Sequence, residues 1–116
     1  MANTFKVKTN PAMPASAGTF LTLYTGTSAT STIVIGLTLC NVHTTAVTAS
    51  VKLVSNTSDT ETNEDVLLVK DVDIPAKSSL ELLSGGKYVI QATDVLQIDC
   101  SVAAKIDATL SILEIT

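Results

Sequence analysis

The sequence predicts an all-β domain, a two-sheet antiparallel β-sandwich of about eight short strands in an immunoglobulin-like or jelly-roll-like arrangement. Apolar residues recur at every second position through most of the chain, the period of a strand with one buried and one wet face. Clusters of Gly, Pro, Asn, Asp and Ser interrupt that pattern roughly every ten residues. Thr, Val and Ile together supply 38 of the 116 residues, and residues branched at Cβ suit a pleated surface better than a helix. No stretch sustains the 3.6-residue apolar spacing of an amphipathic helix, so any helix is expected to be a single turn.

Taken in order, residues 4–9 alternate Phe5 and Val7 with Thr4, Lys6 and Lys8, an N-terminal strand or arm that Pro11 and Pro14 are expected to end. Residues 18–25 carry Phe20, Leu21 and Leu23 ahead of the turn cluster Gly26-Thr27-Ser28. Residues 32–41 read as a central strand, with Ile33, Ile35, Leu37 and Leu39 on one face and Val34, Gly36, Thr38 and Cys40 on the other. After a connection at 41–45, residues 46–54 set Val47, Ala49, Val51 and Leu53 against Thr48, Ser50 and Lys52. A polar loop at 55–65 precedes an apolar run at 66–74, which Pro75-Ala76-Lys77-Ser78 breaks.

Residues 79–83 and 88–91 form two short strands around Ser84-Gly85-Gly86, where Gly permits the positive φ of a tight reversal. Residues 95–102 set Leu96, Ile98, Cys100 and Val102 against Gln97, Asp99 and Ser101. The last strand sets Ile106, Ala108, Leu110 and Ile112 against Asp107, Thr109 and Ser111, and these two strands are expected to pair as a hairpin across Ala103-Ala104-Lys105. The expected core comprises Ile35, Leu37, Val51, Leu53, Leu96, Ile98, Leu110 and Ile112.

One domain spanning 1–116 is expected, with 1–14 as an N-terminal arm, because a chain of this size buries roughly two-thirds of its unfolded surface in a single core. At 3% aromatic, that core must be aliphatic. The formal net charge is −4, every basic residue is Lys, and the lysines are scattered, so no nucleic-acid partner is expected. No apolar run approaches the ~20 residues of a membrane span, and no membrane partner is expected either. The start, Met1 to Lys6, lacks a charged segment followed by an apolar one, which favours synthesis in a cytoplasm. In that compartment Cys40 and Cys100 are expected to be reduced and without catalytic role.

Chemistry-bearing patterns are sparse. His43 is the single histidine and lies in a turn, with nothing nearby to orient it as a base. Cys40 and His43 have a C-x-x-H spacing, with Cys100 as a third candidate ligand, but no second paired motif completes a zinc site. Residues 59–65 alternate oxygen-bearing side chains without the Gly and distal Glu of a calcium loop, and read as a solvated hairpin loop. Asn56-Thr57-Ser58 is a formal sequon without a secretory signal, and Gly85-Gly86 precedes a strand, where no helix N-terminus could hold a phosphate. No catalytic residue, cofactor or metal ligand is assigned, and an enzyme is not expected.

The segments Ile33-Val34-Ile35-Gly36-Leu37-Thr38-Leu39-Cys40-Asn41, Thr45-Ala46-Val47-Thr48 and the run from Val69 to Leu80 occur in an order that resembles small virion structural proteins of tailed bacteriophages, especially those of marine cyanobacterial phages. The opening Met1-Ala2-Asn3-Thr4-Phe5-Lys6 and the closing Ala92 to Leu96 and Ala108 to Ile115 are similar to the ends of those proteins. The loop 56–64 is longer than the usual hairpin of the family. The resemblance implies a component of the virion assembled in the host cytoplasm, most simply a capsid decoration or cement subunit. Its partners would be the major capsid protein or tail proteins, together with further copies of itself. A tail, neck, baseplate or fibre component is the alternative, since fold does not determine role, and a host-surface binding module is a third reading.

For the arm, the pattern leaves two arrangements open. Phe5, Lys6, Val7 and Lys8 could form a subunit contact by adding a strand to a neighbouring chain, the arrangement expected here, or the arm could pair with an edge of its own sheet.

Overall fold

The computed structural model describes residues 2–55, 63–83 and 87–116. The Gly85-Gly86 reversal, the sequon at 56–58 and residues 59–62 of the acidic stretch lie outside the described residues. Within them the chain is all β: β1 (Asn3–Met13), β2 (Leu21–Thr25), β3 (Ser31–Asn41), β4 (Val47–Val54), β5 (Val66–Ile74), β6 (Ser79–Glu81), β7 (Tyr88–Ile90), β8 (Val95–Cys100) and β9 (Ile106–Ile115). They form two antiparallel sheets. Sheet A has the order β1-β9-β3, with β6 and β7 both on the far edge of β3, and sheet B has the order β2-β8-β4-β5.

The alternation read from the sequence supplies the core. Val47, Ala49 and Val51 of β4 and Leu96, Ile98 and Cys100 of β8 are buried from one side, and Ile106, Ala108, Leu110 and Ile112 of β9 with Leu37 and Leu39 of β3 from the other. Leu53 is half-buried against this cluster.

Ile35, expected in the core, is 37% exposed. The cause is a bulge. Val34 faces Ile112 and Gly36 faces Ser111, so Ile35 is an extra residue in β3 that reverses the inward phase of the strand. Thr32 and Val34 therefore point inward before it and Leu37, Leu39 and Asn41 after it, while Ile33 shares the outer face with Gly36, Thr38 and Cys40. Two short strands, β6 against residues 38–40 and β7 against residues 32–34, flank this bulge on the opposite edge. Glu81 seals the gap between them. Its carboxylate accepts the Thr38 hydroxyl at 2.6 Å and the backbone N–H groups of Leu37 and Leu83 at 3.2 and 3.4 Å, and the Thr38 bond in particular holds it below the usual carboxylate range.

The expected hairpin between the last two strands is absent, for β8 pairs with β2 and β4 and β9 pairs with β1 and β3. Both strands carry an uninterrupted apolar row, and the two rows bury each other when they face across the sandwich instead of lying side by side. The connection at 101–105 arches from one sheet to the other, tied by the Ala104 N–H to the Pro14 carbonyl (2.6 Å) and by the Val42 N–H to the Lys105 carbonyl (3.0 Å).

The N-terminal segment pairs with its own β9 from Asn3 to Met13, so it folds onto its own domain instead of joining a neighbouring chain as expected. It does not stop at Pro11. A register break between Asn10 and Met13 absorbs Pro11 and Ala12, with the Ala12 N–H bonded to the Asp107 carboxylate at 2.8 Å, and the strand resumes with buried Met13 beside Ile106.

Candidate functional site

β1 is paired along its length and yet exposed. Phe5 is 74% and Val7 62% accessible. Thr116 donates its N–H to the Ala2 carbonyl, which sets the hydrogen-bond alternation of the ladder. Thr4, Lys6, Lys8 and Asn10 thus turn their backbone groups toward β9, while Asn3, Phe5, Val7 and Thr9 turn theirs toward the open edge.

The register extends the row that starts at Phe5. Phe5 lies beside Leu113, Leu113 beside Ile33, and Ile33 beside Val89, which is 58% exposed. The next row runs Val7, Ser111, Gly36, with the bulged Ile35 next to it, and Ile115 closes the patch beside Asn3 and Ser31. One end of the outer face of sheet A is therefore a continuous apolar surface. Apart from Asp107 at the far end, no outward residue of β1, β9 or β3 is charged.

The outer face of sheet B is the opposite. Its outward rows hold Thr48, Ser50 and Lys52 on β4 beside Gln97 and Asp99 on β8. The Lys52 ammonium sits 5.3 Å from the Phe20 ring centroid, and Asp71 of the bulged edge strand β5 exchanges hydrogen bonds with Ser50. A shallow groove there, lined by Gly18, Thr48, Ser50, Asp71, Asp99 and Ser101, is polar, and the Asp99 carboxylate already accepts the N–H groups of Gly18 and Cys100.

Lys6 points to the inner side of β1, where the sandwich is open. Its ammonium lies 2.7 Å from Glu114, whose other oxygen accepts the Tyr24 hydroxyl at 2.8 Å, and Tyr24 in turn bonds Thr32 at 2.9 Å. The hydrogen bond from Lys6, then that from Tyr24, holds the Glu114 carboxyl below 4.5, and the same bond raises Lys6 above 10.5. A depressed carboxylate stabilises the fold above its unfolded value and loses that contribution as pH falls through its folded value; a raised ammonium loses its contribution as pH rises through the folded value. Glu114→Gln should flatten both limbs of the stability profile, measured as the urea midpoint from acid to alkaline pH. Superimposable profiles for the two proteins would show that the pair does not contribute.

The remaining candidates do not converge. His43 is half-buried in the β3–β4 turn, its N–H bonded to Asn41 Oδ1 at 2.8 Å. Cys40 lies on the outer face of sheet A and Cys100 is buried in sheet B, and both are free thiols. No group of three metal-ligating side chains occurs among the described residues. One thiol, that of Cys40, should react with a small alkylating reagent in the native protein and the second only after unfolding. Equal rates for both would place Cys100 at the surface.

Of the four residues expected at a subunit contact, Phe5 and Val7 lie on this outer face, whereas Lys6 and Lys8 lie on the inner side of β1; Ile33, Val89, Leu113 and Ile115 were not singled out in the sequence. The available signal was that the segments 32–35 and 110–115 carry apolar residues on both faces, which in an antiparallel sheet marks a second apolar face. Compared with known proteins, the chain matches no family model, no curated protein and no solved structure. No helix among the described residues is long and apolar enough to cross a membrane.

Proposed function

We propose that the chain is a structural protein of a tailed-phage particle, a capsid decoration or cement subunit that assembles through the outer face of sheet A. The observation that carries this reading is the asymmetry of the sandwich: one outer face is polar and charged, while one end of the other presents an apolar surface that holds Phe5, Val7, Ile33, Leu113 and Val89. Soluble domains seldom leave a contiguous apolar patch larger than a few hundred Å² open to water, and the largest patch on a domain often has a function. Phe5 alone exposes on the order of 150 Å² here. The order of strand and turn segments, with its resemblance to small virion proteins, supports the particle as the setting, the host cytoplasm as the place of assembly, and the major capsid protein as a partner.

Quantitative mass spectrometry of purified particles encoded by the same genome tests this. Copies in the hundreds fit a shell subunit. A few dozen or fewer move the chain to the tail, neck, baseplate or fibre, and particles without it end the reading.

A further inference from the structure

We propose that the free edge of β1 takes up an extended segment of another protein, as an added antiparallel strand whose residues alternate between acidic and apolar. The site is the edge of sheet A and is independent of what covers its outer face.

The edges of the sandwich carry the inference. An edge strand presents unpaired N–H and C=O groups, and folded domains blunt such edges with bulges, very short strands or charges. Among the described residues three of the four edges are blunted by bulges or brevity. β5 loses register with β4 twice and turns through a positive φ at Asp71. β2 has five residues and one register break, and β6 and β7 have three residues each. β1 differs. It keeps an unbroken register against β9 from Asn3 to Asn10 and holds no Pro or Gly in that span. The N–H and C=O groups of Asn3, Phe5, Val7 and Thr9 point away from β9 along this edge, and no described residue pairs with them.

Charge names the occupant. On a chain of net charge −4, residues 3–13 hold Lys6 and Lys8 and no acid. Both lysines lie on the inner side of β1, where the Lys6 side chain meets Glu114 yet stays 48% exposed, and Lys8 has no ion-pair partner among the described residues. An antiparallel strand bonded to Phe5 and Val7 stands opposite Lys6 and Lys8 at non-hydrogen-bonded positions, where side chains approach most closely. Carboxylates at those positions meet two ammonium groups. On its other face the added strand lies beside Phe5 and Val7, which are 74% and 62% exposed, and apolar side chains there continue the row that runs on to Leu113 and Ile33.

The same lysines turn away a second β1. The two antiparallel registers of greatest overlap set Lys6 of one copy against Lys6 or Lys8 of the other, and like charges directly opposite are destabilising. The partner is therefore a different chain, held by strand addition: backbone bonds supply affinity, and the alternation of acid and apolar residues supplies selectivity.

Two capped octapeptides test this, one alternating Val with Glu and the other Val with Lys. In amide exchange of the full chain followed by nuclear magnetic resonance, the glutamate peptide should protect the Phe5 and Val7 amides, while those of Lys6 and Lys8, already bonded to β9, stay as they were. The lysine peptide should bind about tenfold more weakly at low salt, a gap that narrows as salt is added. Val7→Pro removes an outward donor and leaves the bonds to β9 in place, so it should weaken the glutamate peptide by about tenfold. Lys8→Glu should abolish the preference for the glutamate peptide, and it decides if Val7→Pro does not fold. Equal binding of the two peptides, binding that leaves the Phe5 and Val7 amides exchanging, or no binding at millimolar peptide each overturns the proposal. So does protection of those amides that grows with the concentration of the chain alone, which gives the edge to a second copy.

Discussion

Deleting residues 2–13 should destabilise the monomer by about 3–5 kcal/mol, lowering its melting temperature by about 10–20 °C. The deletion removes buried Met13, which contacts the core beside Ile106, and the Lys6 partner of Glu114. It also strips one side of β9, leaving the backbone groups that paired with Thr4, Lys6, Lys8 and Asn10 at a bare edge. A new edge of that length is a template for association, so the truncated chain should aggregate on heating. Thermal unfolding by circular dichroism reads the effect. Truncated protein that melts with the parent would mean that β1 serves only contacts between chains, the arrangement that the alternation of Phe5 and Val7 had suggested.

Asn41→Asp should cost about 3–5 kcal/mol, more than any surface substitution. Asn41 is fully buried at the end of β3 and joins the two sheets: its amide donates to the Thr45 and Ile74 carbonyls at 3.0 Å and to that of Pro75 at 3.2 Å, while its carbonyl accepts the His43 N–H. Aspartate has the same shape but offers those three carbonyls an acceptor in place of a donor. As a buried carboxylate facing carbonyl oxygens it would titrate above its unfolded value, so the folded variant binds a proton more readily and its stability should rise as pH falls from neutral. Urea unfolding at neutral and mildly acidic pH checks both parts. A variant within about 1 kcal/mol of the parent at neutral pH would remove Asn41 from the account.

The sandwich itself was legible because period-two alternation reports which face of each strand is dry, and at Val47, Ala49, Val51, Leu96, Ile98, Leu110 and Ile112 it is right. What alternation does not report is where a ladder gains a residue or which sheet a strand joins. The bulge at Ile35 shifts the inward phase with no Pro or positive φ to announce it, and the adjacent glycine lies outside the left-handed region. The separation of β8 from β9 follows from burial across the sandwich, a property of two apolar rows together and not of the short Ala103-Ala104-Lys105 link. Asn41 read as a turn residue, since its three carbonyl partners come from segments up to 34 residues away. The outer face of sheet A suffered from the same limit: Phe5, Leu113, Ile33 and Val89 form one row only once the register of four strands is known.

Hydroxyl-radical footprinting, comparing purified particles with the chain released from them, tests most directly whether that face is the assembly surface. The account predicts that Phe5, Leu113 and Ile33 oxidise readily in the released monomer and are protected in the particle, while Val66 and Leu67 on the exposed end of β5 oxidise equally in both. Equal oxidation of Phe5 and Leu113 in particle and monomer would contradict it.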